Sequence, residues 1–308
     1  MEIKKRKKSI FDGKLLFYCF LLALPLLQYS IFYIGVNVNS FFLAFTSYDK
    51  LTGVESFAGF ANFKEVFITF FQSVEARNFG IRFRNSLISY GCSLLVGTGG
   101  AVLFSYYIYK KQFLSNTFKI ILFLPSVLPG IASTSIYRYF VETGLLSVYN
   151  SIAPQPLSSF LNNFDTVYGT VLFYGLFMGF GTQVMMYLGA MNNINPSITE
   201  AARLDGASFM RELWSITIPC VYPTLTTFVV VGITGIFTSD LGLYSFFATN
   251  APGQAQTLGY YLFRETQNNT GNMARWPYIS AIGLCFTAIV APITVGLKRV
   301  LDKYDPMR

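Results

Sequence analysis

Six stretches of the chain contain no Asp, Glu, Lys or Arg and consist mostly of apolar residues. An α-helix rises about 1.5 Å per residue, so about 20 apolar residues cross the roughly 30 Å of hydrocarbon in a bilayer. A charge at the middle of such a helix costs about 2.5 to 3.5 kcal/mol, which explains why these stretches exclude charges. The pattern therefore predicts six membrane-spanning helices, within residues 15–45, 85–109, 120–137, 166–190, 213–239 and 277–297.

The first apolar stretch is longer than one crossing needs. We expect Gly35, Asn37 and Asn39 to mark the point where its helix nears the outer surface, with the remaining residues along the interface. Its apolar part far exceeds the roughly 7 to 15 residues of a signal peptide, and no small-residue cleavage pattern follows it. The segment is therefore expected to remain as a helix.

Composition favours a membrane protein and argues against most enzymes. Of the 308 residues, 53% are hydrophobic and 12% are charged, whereas about 25% of the residues of a typical soluble domain are charged. The sequence has no histidine, which excludes Ser/His/Asp and Cys/His catalytic groups and HExxH zinc sites. The four cysteines lie far apart in apolar stretches, so neither a disulfide framework nor a CxxC metal site is expected.

Positive charge predicts the orientation of the chain. Lys and Arg concentrate in the cytoplasmic loops of membrane proteins, and 15 of the 23 fall on the side that holds both termini if there are six spans. Both termini are therefore predicted to be cytoplasmic, although Arg82 and Arg84 lie beside the second span on the outer side. The net charge is +8, and the KKRKK run at 4–8 is interpreted as an anchor to anionic lipid rather than a nucleic-acid site, because no aromatic or motif context accompanies it.

No repeat, low-complexity segment or linker divides the chain, so we predict a single membrane domain over residues 1–308. Three longer segments are assigned to the outer side, at about 46–84, 138–165 and 240–276. The loop between the fourth and fifth spans is assigned to the cytoplasm and carries the most distinctive motif. It reads NPSITEAARLDGASFMRELWSITIPCVYPTL from residue 195.

This loop is predicted to form a helical hairpin. Pro196 has the fixed φ that suits the first turn of a helix, and Ser197 with Glu200 fits a capping box. Gly206 can take the left-handed conformation that ends a helix, and Asp205 beside it can accept backbone hydrogen bonds. A second helix is expected from about Ser208 towards Pro219, which cannot donate a backbone hydrogen bond.

The hairpin sequence resembles the EAA signature of permease subunits of bacterial ABC importers. The matching positions are Glu200, Ala201, Ala202, Gly206, Ile216, Thr217 and Pro219, with Ile218 where the family usually has Leu. The string EAARLDGA, with Phe209 and Pro223 after it, is similar to the carbohydrate-uptake branch that includes maltose and glycerol-phosphate permeases. Two outer segments, FAGFANFKEVF at 57–67 and APGQAQTLGYYLFRE at 251–265, also resemble this branch.

The resemblance implies an all-α integral membrane protein with six transmembrane helices and the type I ABC importer permease fold. Residues of about 15–45 would form the family's variable first helix, about 84–300 the core, and about 191–217 the cytoplasmic EAA loop. The protein would be a multi-pass component of the bacterial plasma membrane.

The resemblance also implies partners. These are a second, similar but distinct permease, two ATPase subunits, an extracellular solute-binding protein, membrane lipid and a carbohydrate substrate. The chain has no GxxxxGK[ST] phosphate loop, and its only Gly-Lys pair, Gly13 and Lys14, lacks the flanking residues of that motif. The chain is therefore expected to be no enzyme and to bind no cofactor, while the partner ATPase uses ATP and Mg²⁺.

By resemblance, the hairpin is the coupling helix that docks into the ATPase. The docking residues would be Glu200, Ala201, Ala202, Arg203, Asp205 and Gly206, and Arg211 and Glu212 would add charge to the rim. Two plainer interpretations stay open. Glu200 and Arg203 can simply pair with each other at i, i+3, and the hairpin can be an ordinary interfacial helix pair.

The substrate pathway is assigned to polar and aromatic faces of the fourth and fifth spans. One stripe is Thr170, Tyr174 and Phe177, and the other is Thr227, Thr234 and Thr238. Gln183 and Asp240 are further candidates. Hydroxyl groups would bond sugar hydroxyls while aromatic rings cover C–H faces. Thr and aromatic residues also occur where membrane helices pack, so close packing remains the competing interpretation.

Two other function classes were weighed against the sugar importer. An ion-coupled secondary transporter usually places ionisable residues near the bilayer midplane, and the six stretches contain no charge. A membrane enzyme needs a cluster of catalytic groups, and the sequence offers neither histidine nor carboxylates grouped at one depth. Co-purification of an ATPase would favour the importer over both alternatives.

Overall fold

The structure, a computed structural model, describes residues 13–49, 53–73 and 75–306, and most of these residues are helical. The KKRKK run lies outside the described residues. Within the described part, five helices are long and apolar enough to cross a membrane, and a bent helix pair raises the number to six. The five are Phe17–Leu43, Glu75–Tyr109, Val167–Asn192, Phe209–Phe247 and Met273–Lys303.

The first helix continues past the point where we expected it to reach the surface. It consists of α1 (Gly13–Gln28), a π-helical segment (Tyr29–Gly35) and α2 (Val36–Leu43). The Asn37 side-chain amide donates a hydrogen bond of 2.6 Å to the Tyr33 carbonyl, so this polar residue is satisfied within the helix. The position of residues 35–39 relative to the outer surface of the membrane stays a prediction.

A small β-ribbon and an amphipathic helix follow. Strand β1 (Thr46–Tyr48) pairs antiparallel with β2 (Glu55–Phe57), and Ser47 lies opposite Ser56. Helix α3 (Ala61–Phe71) buries Val66 and Phe70. The all-helical prediction did not include this two-stranded ribbon.

The second span is continuous, whereas the third predicted span is broken. The second consists of α4 (Glu75–Cys92), a π-helical segment (Ser93–Gly100) and α5 (Ala101–Tyr109). The stretch 120–137 is divided between α6 (Ser115–Val127) and α7 (Gly130–Tyr139), which meet at 107°.

Proline explains the break. Pro129 disfavours the helical conformation of the residue before it, and Leu128 is extended, with φ −74° and ψ 141°. The span predicted over 120–137 is therefore a bent pair of helices and not one continuous helix. Beyond α7, a π-helical segment (Phe140–Leu145) leads into α8 (Leu146–Ile152).

The remaining chain forms the helical hairpin and the helices of the last three spans. In order, these are α9 (Val167–Asn192), α10 (Pro196–Leu204), α11 (Phe209–Glu212), a π-helical segment (Leu213–Thr217), α12 (Ile218–Thr238), α13 (Leu243–Phe247), α14 (Leu258–Asn268), a 3₁₀ turn (Met273–Arg275) and α15 (Trp276–Lys303). Pro219 does not end the second hairpin helix as expected. The π-helical segment before it, where the Ile218 N–H bonds the Leu213 carbonyl five residues back, carries the helix into α12.

Buried residues form three clusters inside the bundle. One joins α5 to α9 at the end that carries the hairpin, and a second joins α9 to α13 and α14 at the opposite end. The third joins α12 and α15 to α3. Small residues permit the closest contacts, because a Cβ on Gly181 of α9 would lie 1.8 Å from the Leu122 carbonyl oxygen of α6.

Candidate functional site

The first hairpin helix begins two residues earlier than the capping box predicted. Asn195, not Ser197, is the N-cap, and its side-chain oxygen accepts a hydrogen bond of 3.1 Å from the Ser197 N–H. Pro196 is the first helical residue, as expected. Since Pro196 favours an extended residue before it, Asn195 takes the conformation that a cap requires (φ −60°, ψ 123°). The predicted capping role of Ser197 and Glu200 was therefore wrong.

The turn of the hairpin has the conformation predicted for it. Gly206 has φ +75°, and its N–H bonds the Arg203 carbonyl at 3.1 Å while the Ala207 N–H bonds the Ala202 carbonyl at 2.9 Å. This pair of bonds is a Schellman motif, which closes the end of a helix. The turn thus uses carbonyl acceptors, and the Asp205 side chain is exposed.

The second hairpin helix also begins where predicted. The Ser208 side chain accepts a hydrogen bond from the Arg211 N–H at 3.4 Å and caps α11. With a cap at each start and a Schellman turn between them, the hairpin has a defined local geometry.

The tip of the hairpin offers a mixed charged and apolar surface. Glu200, Ala201, Arg203 and Asp205 are exposed, while Ala202 is buried. No ion pair joins Glu200 to Arg203 among the described residues. Sequence reasoning missed Leu204, which is 89% exposed.

Glu212, which was assigned to the docking rim, points into the protein. Its side chain is 3% exposed, and both carboxylate oxygens lie 2.7 Å from the Nζ atom of Lys110 at the end of α5. The assignment of Glu212 to an exposed rim was therefore wrong. Arg211 beside it is exposed, as that assignment requires.

A cavity of about 180 Å³ lies between α4, the π-helical segment after it, α9 and α12. Its walls combine hydroxyl groups with glycine. The lining residues are Ser86, Ser89, Tyr90, Ser93, Gly97, Gly175, Leu176, Gly179, Gln183, Gly232, Gly235, Ser239, Leu241 and Thr257. Within the described chain, the buried Gln183 Oε1 atom has no hydrogen-bond partner.

Of the predicted pathway residues, Gln183 lines this cavity. Tyr174 is buried in the cluster between α9 and α13, where its hydroxyl lies 2.9 Å from the Thr134 hydroxyl. Thr170 bonds backward to the Thr166 carbonyl at 2.8 Å. Phe177 lines a separate apolar groove against α6 and α7.

The second predicted stripe also lies away from the cavity. Thr234 and Thr238 line a groove formed with the first helix and α15. Thr227 is exposed and bonds the Pro223 carbonyl at 2.7 Å. Asp240 accepts hydrogen bonds from the Gly242 and Tyr244 N–H groups in the turn after α12. The two stripes therefore do not meet in one site.

Sequence reasoning assigned the pathway to the fourth and fifth spans and missed the cavity face of the second span. Ser86, Ser89, Ser93 and Gly97 recur at spacings of three and four residues, which places them on one face of a helix. That hydroxyl-rich spacing was readable in the sequence.

A buried polar network closes the end of the cavity opposite the hairpin. The Asn85 amide donates to the Gln256 carbonyl at 3.0 Å, and the Ser86 hydroxyl accepts from the Leu258 N–H at 3.0 Å. The Thr257 hydroxyl donates to the Ser239 carbonyl at 2.7 Å. These bonds attach the segment before α14 to α4 and α12.

Tyr261 on α14 is joined to this network by its N–H, which donates to the Thr257 carbonyl at 3.0 Å. Burial raises the pKa of its phenol, so the ring stays neutral beside the Arg82 guanidinium 4.4 Å from its centroid.

Comparison with known proteins identifies the architecture. A family model described as the binding-protein-dependent transport system inner membrane component matches residues 94–306. The chain belongs to this family. It is therefore a transporter permease subunit and a multi-pass membrane protein, and the predicted family is confirmed.

Two relatives align with this chain, one over nearly its whole length and the other over a little more than half of it. MsmF of Streptococcus mutans, a multiple sugar-binding transport system permease protein, is 22% identical over 92% of this chain and 94% of its own length. AraP of Bacillus subtilis, an arabinooligosaccharides transport system permease protein, is 26% identical over 58% of each chain.

Solved structures share the fold of the permease. A chain of a bacterial ABC transporter involved in the import of the acidic polysaccharide alginate superposes with a TM-score of 0.73, at 21% identity and with 95% of this chain and 96% of that chain covered. In a second structure of an alginate ABC transporter, in complex with a periplasmic protein that holds an alginate pentasaccharide, the TM-score is 0.71 at 21% identity, over 92% of this chain and 93% of that chain. The predicted permease fold is thereby confirmed.

Proposed function

We propose that this permease forms part of the translocation pathway of an ATP-driven importer of sugars or oligosaccharides. The observation that carries the proposal is the hairpin, which presents Glu200, Ala201 and Gly206 of the EAA signature to solvent while it is anchored in the bundle. The names of MsmF and AraP, which are sugar and arabinooligosaccharide permeases, support the substrate class.

The hairpin is proposed to dock into an ATPase subunit. Its exposed charges can pair with a complementary rim, and Leu204 supplies an apolar contact at the tip. Ala201 leaves room for a partner to approach the helix backbone. Docking on a rigid hairpin would convert closure of the ATPase pair into movement of the spans.

The remaining partners follow from this role. A second permease, two ATPase subunits and an external solute-binding protein complete the proposed complex, and the alginate transporter bound to its periplasmic protein supports the last of these. ATP and Mg²⁺ would be used by the ATPase subunits and not by this chain. The hairpin would face the cytoplasm, together with both termini.

The cavity between α4, α9 and α12 is the proposed pathway in this subunit. Its hydroxyls and the unpaired Gln183 carbonyl oxygen suit an uncharged ligand rich in hydroxyl groups. In the described lining no side chain carries a formal charge, whereas an ion-coupled carrier would need ionisable groups here.

The test is affinity purification of the tagged permease from its native membrane, followed by measurement of ATP hydrolysis. The expected result is an ATPase that co-purifies and hydrolyses ATP. Gly206→Pro, which cannot adopt φ +75°, and Glu200→Lys should each keep the permease in the membrane but lower the amount of bound ATPase.

Glu55→Lys provides the matched control, because it makes the same charge change at an exposed residue of the β-ribbon. It should leave ATPase binding unchanged. Uptake driven by a proton gradient without any ATPase would contradict the proposal and favour a secondary transporter.

A further inference from the structure

The ion pair between Lys110 and Glu212 is shielded from any partner protein. The Lys110 side chain is 9% exposed and that of Glu212 is 3% exposed, and the Nζ atom is 2.7 Å from both carboxylate oxygens. Charges buried in this way act between parts of this chain. One belongs to the end of α5 and the other to the second helix of the hairpin.

A second contact attaches the same two helices one turn away. The Tyr106 hydroxyl donates a hydrogen bond of 3.0 Å to the Phe209 carbonyl, and the two rings pack with centroids 4.6 Å apart. Tyr106 lies on α5, and Lys110, four residues later, lies at the end of that helix. Phe209 and Glu212 are three residues apart on α11. Each spacing corresponds to about one helical turn, so α11 is held to α5 at both of its ends.

From α5, direct contacts continue to the cavity wall. The hydroxyl oxygen of Ser105, next to Tyr106, lies 2.5 Å from the Ala101 carbonyl of its own helix and 2.8 Å from the Val184 carbonyl on α9, so its one hydrogen is shared between the two helices. Val184 is the neighbour of Gln183, which lines the cavity. The hairpin and the cavity are thus joined through α5 and α9 by short, buried contacts.

The ion pair differs from an apolar contact in what happens when the two helices shift relative to each other. Burying two charges carries a desolvation cost, and apolar residues of similar volume often stabilise a protein as well or better. An apolar contact would tolerate a shift between the helices, whereas separating Lys110 from Glu212 would leave two uncompensated buried charges, so the pair holds the end of α5 against α11. The arrangement therefore favours a role in geometry over a role in stability.

We infer that Lys110 and Glu212 are positioning residues that lock the hairpin to α5, so that movement imposed on the hairpin by a partner reaches the cavity wall. The inference rests on the proposed function, because an ATPase must supply the movement. It adds a residue pair on which coupling depends, neither member of which is a signature position of the EAA motif and both of which are buried within this chain.

The experiment follows a cysteine at the cavity in the whole complex. All four native cysteines are replaced by serine or alanine, Ser93→Cys is introduced, and the rate of maleimide labelling in liposomes is compared without nucleotide and after trapping with ATP, Mg²⁺ and vanadate. The parent protein should show a labelling rate that changes with ATP. Lys110→Met and Glu212→Gln should still co-purify with the ATPase and hydrolyse ATP, but the ATP-dependent change should fall at least about fivefold.

Two controls make the result specific. Lys111→Met alters the adjacent, exposed lysine and should leave the response intact. Exchange of the pair, Lys110→Glu with Glu212→Lys, should restore most of the response. If Lys110→Met fails to assemble, Glu212→Gln decides alone, because it keeps the side-chain volume and removes only the charge.

The outcomes separate this inference from the proposed function. If the parent protein responds to ATP and both single variants respond equally well, the inference is overturned while the proposed function stands. If the parent protein binds no ATPase, the proposed function itself fails. A lost response in Lys111→Met as well would also overturn the inference, since the effect would then not belong to the buried pair.

Discussion

The Nε atom of Arg82 donates a hydrogen bond of 2.9 Å to the Oε1 atom of Gln256, although the two residues are 174 positions apart. Arg82 is 3% exposed and also contacts a Glu75 carboxylate oxygen at 3.3 Å. Its guanidinium lies over the Tyr261 ring. Arg82, which counts against the predicted orientation, is thus held in a buried network within the chain.

Replacing Arg82 by Gln should destabilise the permease by about 1 to 3 kcal/mol, because the buried Gln256 oxygen would lose its shortest hydrogen bond. Unfolding by SDS in mixed micelles would measure the change. Arg77→Gln, at an exposed position of the same helix, is the control and should have almost no effect. Equal stability of the two variants would show that the network contributes nothing.

Gly181 should be sensitive to the addition of a single methyl group. A Cβ there would lie 1.8 Å from the Leu122 carbonyl oxygen, so Gly181→Ala must push α6 away from α9. Overpacking of this kind costs about 1 to 3 kcal/mol, sometimes more. The same SDS titration would measure the cost.

Gly189 on the same helix provides a matched control for Gly181, because a Cβ at that position meets no atom within 4 Å. Gly189→Ala should be neutral or slightly stabilising, since Ala has the higher helix propensity. Equal losses in the two variants would contradict close packing of α6 on α9.

Two substitutions of Tyr174 distinguish a role in packing from a role in transport. Tyr174→Ala removes a ring packed against Phe246 and Tyr137, with centroids 4.9 and 5.1 Å away, and should lower stability by about 3 to 5 kcal/mol. Tyr174→Phe loses only the contact with the Thr134 hydroxyl, which is worth about 0.5 to 1.5 kcal/mol.

Uptake per assembled complex should therefore be nearly normal in Tyr174→Phe. Transport assays normalised to the amount of purified complex would measure this. Normal assembly of Tyr174→Phe with abolished uptake would instead place Tyr174 in the pathway, as the sequence analysis predicted.

The features that could be predicted from sequence are those that depend on neighbouring residues. Apolar runs identified the spans, and Gly206 and Ser208 identified the turn and the second helix of the hairpin. The break at Pro129 was also local, since proline restricts the residue before it, but the spans were predicted from the absence of charge alone. The N-cap is Asn195 and not Ser197 for a similar local reason, because Pro196 restricts the residue before it.

Features that depend on distant contacts could not be predicted in this way. An exposed and a buried glutamate look alike in sequence, and Glu212 is buried because α5 brings Lys110 to it across 102 positions. The cavity likewise requires faces of α4, α9 and α12 to converge. A stripe of residues on one helix, such as Thr227, Thr234 and Thr238, does not show which neighbouring helix it contacts.

Gln183 provides the most direct test of the cavity as a sugar pathway. Its Oε1 atom has no hydrogen-bond partner among the described residues, so Gln183→Leu should cost little stability and keep the complex assembled. A hydroxyl-bearing ligand would lose one hydrogen bond, and a loss of about 1.4 kcal/mol corresponds to a tenfold weaker interaction. We therefore expect the KM for uptake to rise on the order of tenfold, measured with a radiolabelled sugar in liposomes that contain the whole complex. Thr227→Val, outside the cavity, should leave the KM unchanged, and an unaltered KM in Gln183→Leu would exclude this amide from the pathway.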